Sequence, residues 1–306
     1  MRMQIPKPLH PGDTIAVIGV SGCVHDDNRE ALVRESMRKL EALGFRVRLD
    51  DTAFAQWGYL SGTDEERAGA MNRAFADDTV DGVWCVKGGY GCIRLLDLID
   101  WDMIAAHPKA FIGYSDITTL HTVLHERCHL CTFHGPMPKT DRFDGPSLDS
   151  LLHAVSGQPD RAVVNPDGAP MTCLRPGVAE GQLVGGNLCL LASSTGTPYD
   201  LDVRGKLLFL EDVGEHVYAI DRYLQQLYHA GKLTDCAGIV LGRFADITGE
   251  YADSFTLEEV LSQLTQKLPV PVMGNLQCGH LKEKVTLCLG RRYRMDASAG
   301  TLTLTD

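Results

Sequence analysis

The fold is decided by the segment Ala110-Phe111-Ile112-Gly113-Tyr114-Ser115-Asp116-Ile117-Thr118-Thr119-Leu120. A short apolar run ends at Gly113, and a helical pattern of apolar residues begins directly after Ser115. A serine on a sharp turn between a strand and a helix projects its hydroxyl above the sheet, beside the unpaired amides of the helix N-terminus. The segment therefore predicts a nucleophilic serine. The alternative is that Ser115 only caps the helix.

Strands and helices alternate through the N-terminal half of the chain. Apolar runs predict strands at Thr14–Val20 and Gly82–Val86, and one-sided apolar patterns predict helices at Asn28–Leu43 and after the capping-box residue Thr63. This alternation predicts an α/β fold with a parallel sheet that has helices on both faces. Active sites of such sheets lie beyond the carboxyl ends of the strands, which is where Ser115 falls.

The composition of the chain predicts two domains. Residues 1–140 form the predicted nucleophile-bearing α/β domain, and residues 141–172, rich in Pro, Gly, Asp and Ser, form a predicted linker. Residues 173–306 form a smaller C-terminal α/β domain. This domain is predicted to end in three closing, hairpin-like strands: Val285–Leu289, Arg292–Asp296 and Thr301–Thr305.

Charge and cysteine usage exclude several classes of function. A net charge of −11, with no basic tract, argues against nucleic acid or an anionic membrane as a partner. No apolar stretch is long enough to span a bilayer, and the N-terminus has no hydrophobic signal region. The ten cysteines are therefore expected to be reduced thiols in a cytoplasmic protein.

A glycine-rich turn, Gly88-Gly89-Tyr90-Gly91, follows the predicted strand Gly82–Val86. Glycines let backbone amides approach a ligand closely, so the turn is a candidate oxyanion site; the alternative is an ordinary tight turn. We expect the amide of Asp116 and one amide from Gly88–Tyr90 to face the oxyanion. The turn matches no nucleotide-binding motif.

A serine nucleophile needs a base, and the base needs an acid that orients it. His280, in a glycine-flanked loop, is a candidate base, although most loop histidines are simply solvated. Glu211 ends an apolar strand and is followed by Asp212; such an acid is partly desolvated and tends to have a partner. The alternative is that Glu211 or Asp212 caps the helix that begins near His216.

Histidines and cysteines cluster after Ser115, which raises the possibility of a metal site. The spacing fits no common zinc motif, and His121 and His125 lie one helical turn apart, where one of them can simply pack. We expect neither a metal nor a cofactor. The cluster consists of His121, His125, Cys128, His129, Cys131 and His134.

Taken together, the motifs resemble those of the LD-carboxypeptidases, a serine peptidase family that includes muramoyltetrapeptide carboxypeptidase and the microcin C self-immunity hydrolases. The matching segments follow one another through nearly the whole chain. They are Leu60–Arg67, Lys87–Gly91, Ile112–Thr118, Phe133–Met137, Gly185–Leu188 with Gly196–Tyr199, Leu208–Asp212, Tyr218–Arg222 and Gly279–His280.

The resemblance implies a catalytic triad of Ser115, Glu211 and His280. It implies an N-terminal domain like that of class I glutamine amidotransferases, with the acid and base on the C-terminal domain. The implied reaction removes the terminal D-alanine from a cytoplasmic murein tetrapeptide in peptidoglycan recycling, and the implied assembly is a homodimer. Asp116, Gly89 and Tyr90 are the predicted oxyanion and substrate-binding residues.

Two other functions compete with this one. The first is hydrolysis of aminoacyl-nucleotide antibiotics of the microcin C type, and the second is non-catalytic binding of muropeptides. A carboxypeptidase must also bind a free carboxylate, for which Lys87 and Arg222 are the candidate cations. The alternatives are a solvated strand-end lysine for Lys87 and a helix-surface or interface arginine for Arg222.

Overall fold

The computed structural model describes residues 3–25, 27–138 and 145–306. Its strands, in chain order, are β1 (Thr14–Ile18), β2 (Arg46–Leu49), β3 (Gly82–Cys85), β4 (Ala110–Gly113), β5 (Thr132–His134), β6 (Thr172–Arg175), β7 (Val178–Asn187), β8 (Leu207–Val213), β9 (Gly238–Ala245), β10 (Val272–Gly274), β11 (Leu287–Leu289), β12 (Arg292–Asp296) and β13 (Thr301–Leu304). Its helices are α1 (Asp27–Ala42), α2 (Asp64–Ala76), α3 (Trp101–Ala106), α4 (Thr118–Cys128), α5 (Gly145–Val155), α6 (Leu188–Ser194), α7 (Val217–His229), α8 (Lys232–Asp235) and α9 (Leu257–Thr265). Within the described ranges, none of the helices has the length and apolar character needed to cross a membrane.

The chain divides into two compact units, and the first contains residues up to Pro159 together with Thr286–Cys288. Among the described residues its sheet has the strand order β11-β5-β4-β3-β1-β2. The pairs β1–β2, β1–β3, β3–β4 and β4–β5 are all parallel. The predicted parallel sheet is therefore confirmed, and β4 lies inside it with Ser115 just beyond its carboxyl end.

Burial explains why these strands read as continuous apolar runs. Every residue of β1, β3 and β4 is buried, as expected for parallel strands covered on both faces. The predicted capping box of α2 is present, because the Thr63 side chain accepts from the Glu66 amide and the Glu66 carboxylate accepts from the Thr63 amide. These local signals fix the elements that lead toward the glycine-rich turn.

The second unit contains Asp160–Val285 and Leu289–Asp306. Among the described residues its sheet has the order β13-β12-β7-β8-β9-β10-β6. The strands β7, β8, β9 and β10 are parallel, and antiparallel strands close both edges. The chain is thus a mixed α/β fold with two sheets, and β8 carries Glu211 in the second of them.

One predicted set of strands differs from the structure. Of the three expected closing strands, β12 and β13 do pair in antiparallel fashion, whereas β11 lies in the first unit's sheet beside β5. The three apolar residues of β11 carry no signal that shows which sheet they join. The sequence therefore could not predict that the chain returns to the first unit's sheet at β11.

The predicted domain limits of 1–140, 141–172 and 173–306 stay a prediction. The boundary between residues 140 and 141 lies outside the described residues. Within the predicted linker, residues 145–155 form α5, and its Leu151, Ala154 and Val155 pack into the apolar core of the first unit.

Candidate active site

Ser115 has a strained backbone. Its φ is +66°, a conformation that residues other than glycine rarely adopt and that costs about 1–3 kcal/mol. The strain arises because β4 ends at Gly113 and the short helix Ser115–Ile117 begins after only one extended residue, Tyr114. Neither this helix nor α4 has Ser115 as its cap, so the alternative that Ser115 is only a helix cap is wrong.

The Asp116 side chain holds this turn in place. Its buried Oδ2 accepts a hydrogen bond from the Ser21 hydroxyl at 2.6 Å and from the Cys92 amide at 2.9 Å. Bonds to a carboxylate are stronger than neutral ones, so they can offset the strain at the neighbouring Ser115. The Asp116 amide lies at the start of a helix, where amides lack intrahelical acceptors. Its role as an oxyanion donor stays a prediction.

The glycine-rich turn lies against Ser115. A Cβ built on Gly88 would lie 2.7 Å from the Ser115 Cβ and 2.9 Å from its Oγ. Gly89 and Gly91 have φ values of +129° and +120°, which only glycine adopts without strain. The turn is thus placed where the prediction needs it, while the donor roles of Gly89 and Tyr90 stay predictions.

A buried arginine that the residue patterns did not single out supports this turn. The Arg67 guanidinium is fully buried and donates to the carbonyls of Val20, Gly62 and Gly91, with Asp64 as its ion-pair partner. A buried charge must be paired and hydrogen-bonded, so its partners are held firmly in return. Arg67 ends the segment Leu60–Arg67 that resembles the family, but nothing in the segment showed that its side chain is buried against the turn.

The second unit brings Glu211 and His280 together. Glu211 is fully buried near the end of β8, and its Oε2 accepts a hydrogen bond from His280 Nδ1 at 2.7 Å. A carboxylate can only accept, so Nδ1 carries the proton, and in the neutral ring Nε2 then carries the lone pair that a general base uses. A partly exposed imidazole held by a buried carboxylate is the acid–base pair that a serine hydrolase requires.

Gly279 makes room for this pair. A Cβ on Gly279 would lie 2.5 Å from Glu211 Oε2, and its φ of +111° favours glycine. Ser115 belongs to the first unit and this pair to the second. The joining of all three residues into a triad therefore stays a prediction.

Asp212 has a different task from Glu211. Its carboxylate accepts from the Asn187 amide group and from the Cys189 and Val213 backbone amides, all at 2.9 Å. Burial raises the pKa of Asp212 to about 6. Asp212 thus anchors the start of α6. The alternative that Glu211 or Asp212 caps α7 is wrong, because His216 is the cap residue and makes no side-chain capping bond.

The histidine and cysteine cluster is distributed over several structural roles. His121 Nε2 donates to the Gly113 carbonyl at 2.9 Å, and burial lowers the pKa of His121 to about 4. His129 is the left-handed cap residue of α4, Cys128 Sγ contacts the Trp101 carbonyl, and the His134 ring packs beside Tyr114. Over the described ranges, no group of three or more His, Cys, Asp or Glu side chains is arranged to hold a metal ion.

The two predicted carboxylate-binding cations lie in different settings. Lys87 Nζ donates to the Cys23 carbonyl at 3.0 Å, and burial lowers the pKa of Lys87. Arg222 is exposed on α7, with its guanidinium 5.3 Å from the centre of the Tyr218 ring. In the part of the chain that the structure describes, neither makes an ion pair. Their role in carboxylate binding stays a prediction.

A third cation was missed by the sequence analysis. A cleft of about 1120 Å³ in the second unit is lined by Arg243 and Lys282. Its lining also includes four acidic residues, Asp167, Asp246, Glu258 and Glu283. The Arg243 amide donates to the Cys278 carbonyl at 2.9 Å, two residues before His280. Between residues 145 and 306, the Arg243 guanidinium has no ion pair. Arg243 is thus a further candidate for an anionic group of the substrate.

Comparison with known proteins identifies the family. The N-terminal domain of the LD-carboxypeptidase family matches residues 15–135, and its C-terminal domain matches residues 180–295. The chain is 39% identical to the "Probable murein peptide carboxypeptidase" of Bacillus subtilis (strain 168) over 98% of this chain and 93% of that one. The chain therefore belongs to the LD-carboxypeptidase family, as the resemblance indicated.

Solved structures agree with this assignment. A muramoyltetrapeptide carboxypeptidase from Oxalobacter formigenes is 30% identical, with a TM-score of 0.81 over 95% of this chain and 97% of that one. The microcin C7 self-immunity protein MccF, in complex with aspartyl sulfamoyl adenosine, has a TM-score of 0.89 at 23% identity, over 99% and 98% of the two chains. At that identity, MccF shows only that the fold is shared.

Proposed function

Because the chain belongs to the LD-carboxypeptidase family, we propose that it is a serine carboxypeptidase that removes the terminal D-alanine from murein tetrapeptides. The observation that carries this proposal is the strained Ser115 turn in a chain that also holds the buried Glu211–His280 pair. The names of the relatives at 39% and 30% identity supply the substrate class.

The proposed reaction has two halves. Ser115 Oγ attacks the carbonyl carbon of the last peptide bond while His280 Nε2 accepts its proton. The amide of Asp116 and one amide of Gly89 or Tyr90 stabilise the oxyanion. His280 then returns the proton to the leaving amine of D-alanine, which leaves an acyl-enzyme on Ser115. A water molecule, deprotonated by His280, hydrolyses this ester and restores the serine.

The finer predictions from the sequence belong to the same proposal. We propose that the first unit is related to class I glutamine amidotransferases, which its parallel sheet and strand-to-helix nucleophile turn support. We also propose a cytoplasmic homodimer that acts in peptidoglycan recycling. A net charge of −11 supports the absence of a nucleic-acid or membrane partner.

The deciding experiment is incubation of the purified protein with a murein tetrapeptide, with mass detection of released D-alanine. Wild type should release it, and Ser115→Ala should lower kcat by several orders of magnitude. Ser156→Ala, which removes a half-buried hydroxyl that donates to the His153 carbonyl, is the matched control. Cleavage of an aminoacyl-sulfamoyl adenosine in place of the tetrapeptide would favour the microcin-type activity. Tight peptide binding without turnover would favour a binding protein.

Recognition of the terminal carboxylate can be tested separately. A tetrapeptide that ends in an amide should be a poor substrate, because a neutral amide loses the charge-assisted bond to a cation. The three variants to compare are Lys87→Met, Arg222→Gln and Arg243→Gln. The variant that removes the carboxylate-binding cation should raise KM for the tetrapeptide with a free carboxylate and leave KM for the tetrapeptide amide unchanged. Wild-type enzyme that cleaves both peptides equally would exclude a carboxylate anchor.

A further inference from the structure

Exposed aromatic side chains gather beside the glycine-rich turn of the first unit. Trp57 is 50% exposed, Tyr59 is 59% exposed and Tyr90 is 50% exposed. The Tyr59 and Tyr90 ring centres lie 5.8 Å apart with their planes tilted by 59°. Large aromatic rings that remain in water lose the stabilisation that burial brings, so a grouped set of them is typical of a binding surface. We call Trp57, Tyr59 and Tyr90 the aromatic platform.

The backbone of the platform is held rigidly. Trp57 and Leu60 exchange two backbone hydrogen bonds, of 2.8 and 3.0 Å, and the Cys23 amide donates to the Tyr59 carbonyl at 3.0 Å. Arg94 lies 5.5 Å from the centre of the Trp57 ring, and its guanidinium is fixed by two-pronged hydrogen bonding to Asp64. The rings are therefore presented in water on a fixed frame, which lowers the entropy cost of binding a ligand.

The platform lies close to the nucleophile. Gly88 contacts Ser115, and Tyr90 follows two residues later, a span of at most about 7 Å. The Ser21 hydroxyl contacts both the Asp116 carboxylate, at 2.6 Å, and the Tyr90 carbonyl, at 3.4 Å. The Tyr59 ring lies next to the Tyr90 ring and enlarges the exposed aromatic surface beside the turn.

We propose that the aromatic platform binds a sugar ring, the muramoyl group at the N-terminal end of the peptide; this rests on the proposed function. Sugar rings present a face of C–H groups that packs on aromatic rings, while their hydroxyls bond to polar groups at the edge. Tyr59 and Tyr90 supply both an apolar ring and a hydroxyl. The similar carboxypeptidase from Oxalobacter formigenes is named for a muramoyl-linked tetrapeptide.

The length of the peptide agrees with this placement. Once the last residue of a tetrapeptide is set aside as the leaving group, three residues separate the scissile bond from the sugar. Three extended residues span about 10 Å. Tyr90 lies at most about 7 Å along the backbone from Gly88, and the Tyr59 ring centre lies 5.8 Å from the Tyr90 ring centre. A sugar on the platform and a scissile bond at Ser115 are therefore compatible.

The test compares two substrates, the free tetrapeptide and the muramoyl-tetrapeptide. Trp57→Ala and Tyr59→Ala should each lower kcat/KM for the muramoyl substrate about tenfold, as expected for the loss of one ring contact of about 1.4 kcal/mol. Turnover of the free tetrapeptide should stay within about twofold of wild type. Tyr59→Phe should retain most of the effect of the ring, and Leu32→Ala, which removes an exposed side chain on α1, is the matched control.

Binding measured without turnover separates this proposal from the proposed reaction. On a Ser115→Ala background, tryptophan fluorescence should show that the muramoyl-tripeptide binds more tightly than the bare tripeptide, and Tyr59→Ala should abolish the difference. Equal losses on both substrates, or equal binding of both tripeptides, would overturn the sugar site. So would a Tyr59→Ala effect confined to an aminoacyl-sulfamoyl adenosine, which would assign the platform to a nucleobase. If Tyr59→Ala changed the protein from a dimer to a monomer in sedimentation, the aromatic platform would instead be a contact surface for a second copy of the chain, and the sugar site would be overturned.

Discussion

Replacing Gly88 by alanine places a methyl group in the space of the proposed nucleophile. The new carbon would lie 2.7 Å from the Ser115 Cβ and 2.9 Å from its Oγ. Gly88 is not among the glycines with positive φ, so its backbone conformation is open to alanine. The perturbation is therefore steric and local, and it acts on Ser115 without removing any catalytic group.

The size of the effect follows from these distances. An ordinary carbon contact begins at 3.4 Å, so either the new methyl or the Ser115 side chain must move by about 0.7 Å. A misplacement of about 1 Å costs about 10²-fold in rate, and overpacking costs about 1–3 kcal/mol of stability. We expect Gly88→Ala to fold, with a lower thermal midpoint, and to lose about 10²-fold in kcat/KM on the tetrapeptide.

The assay needs a rate and a measure of serine reactivity. A serine-directed fluorophosphonate probe should label Gly88→Ala more slowly than wild type, in proportion to the loss in kcat/KM. Gly69→Ala is the matched control, because its new Cβ meets only the flexible end of Arg73 and alanine is the better residue inside a helix. Wild-type turnover and labelling in a folded Gly88→Ala protein would refute the assignment of Ser115 as nucleophile beside this turn.

Three further changes test the supporting structure. Glu211→Gln keeps the volume but removes the charge that orients His280, so kcat should fall about 10³–10⁴-fold with the fold intact; a loss below tenfold would contradict the pair. Gly279→Ala puts a Cβ 2.5 Å from Glu211 Oε2 at a φ of +111°, so both kcat and the thermal midpoint should fall, and an unchanged midpoint would count against the close packing. The pKa of His121 is about 4 in the folded protein and 6.5 in the unfolded chain, so the contribution of His121 to the free energy of unfolding should decrease by about 3 kcal/mol as pH falls from 6.5 to 4. The raised pKa of Asp212 acts in the opposite direction in both wild type and variant, so the comparison of the two proteins isolates His121. In urea titrations His121→Gln should lose this dependence, and an identical pH slope in both proteins would disprove the assignment.

The fold could be predicted where local pattern and burial agree. Fully apolar runs at Thr14–Val20 and Gly82–Val86 marked parallel strands because such strands are buried on both faces. The helix predicted at Asn28–Leu43 is α1, displaced by one residue at each end. The return of β11 to the first sheet could not be predicted, because strand pairing across more than 150 residues leaves no trace in a three-residue apolar segment.

The candidate site shows a similar division. Glu211 and His280 could each be suspected from their positions, but they lie 69 residues apart, and only the structure shows that they share a hydrogen bond. The histidine cluster shows what proximity in sequence does not reveal. His121 and His125 are close in sequence, yet burial keeps His121 neutral and directs it to the Gly113 carbonyl.

The strain at Ser115 depends on contacts that no local motif contains. A φ of +66° persists in a serine only if its surroundings stabilise it by more than the strain costs. Asp116 supplies this through its two hydrogen bonds, to Ser21 from the loop after β1 and to Cys92 from the loop after β3. Three separate loops at the carboxyl edge of one parallel sheet therefore hold the nucleophile turn. The sequence alone cannot show that these three loops lie together. They do so because β1, β3 and β4 are neighbours in the sheet, and the strand order is not visible in any local motif.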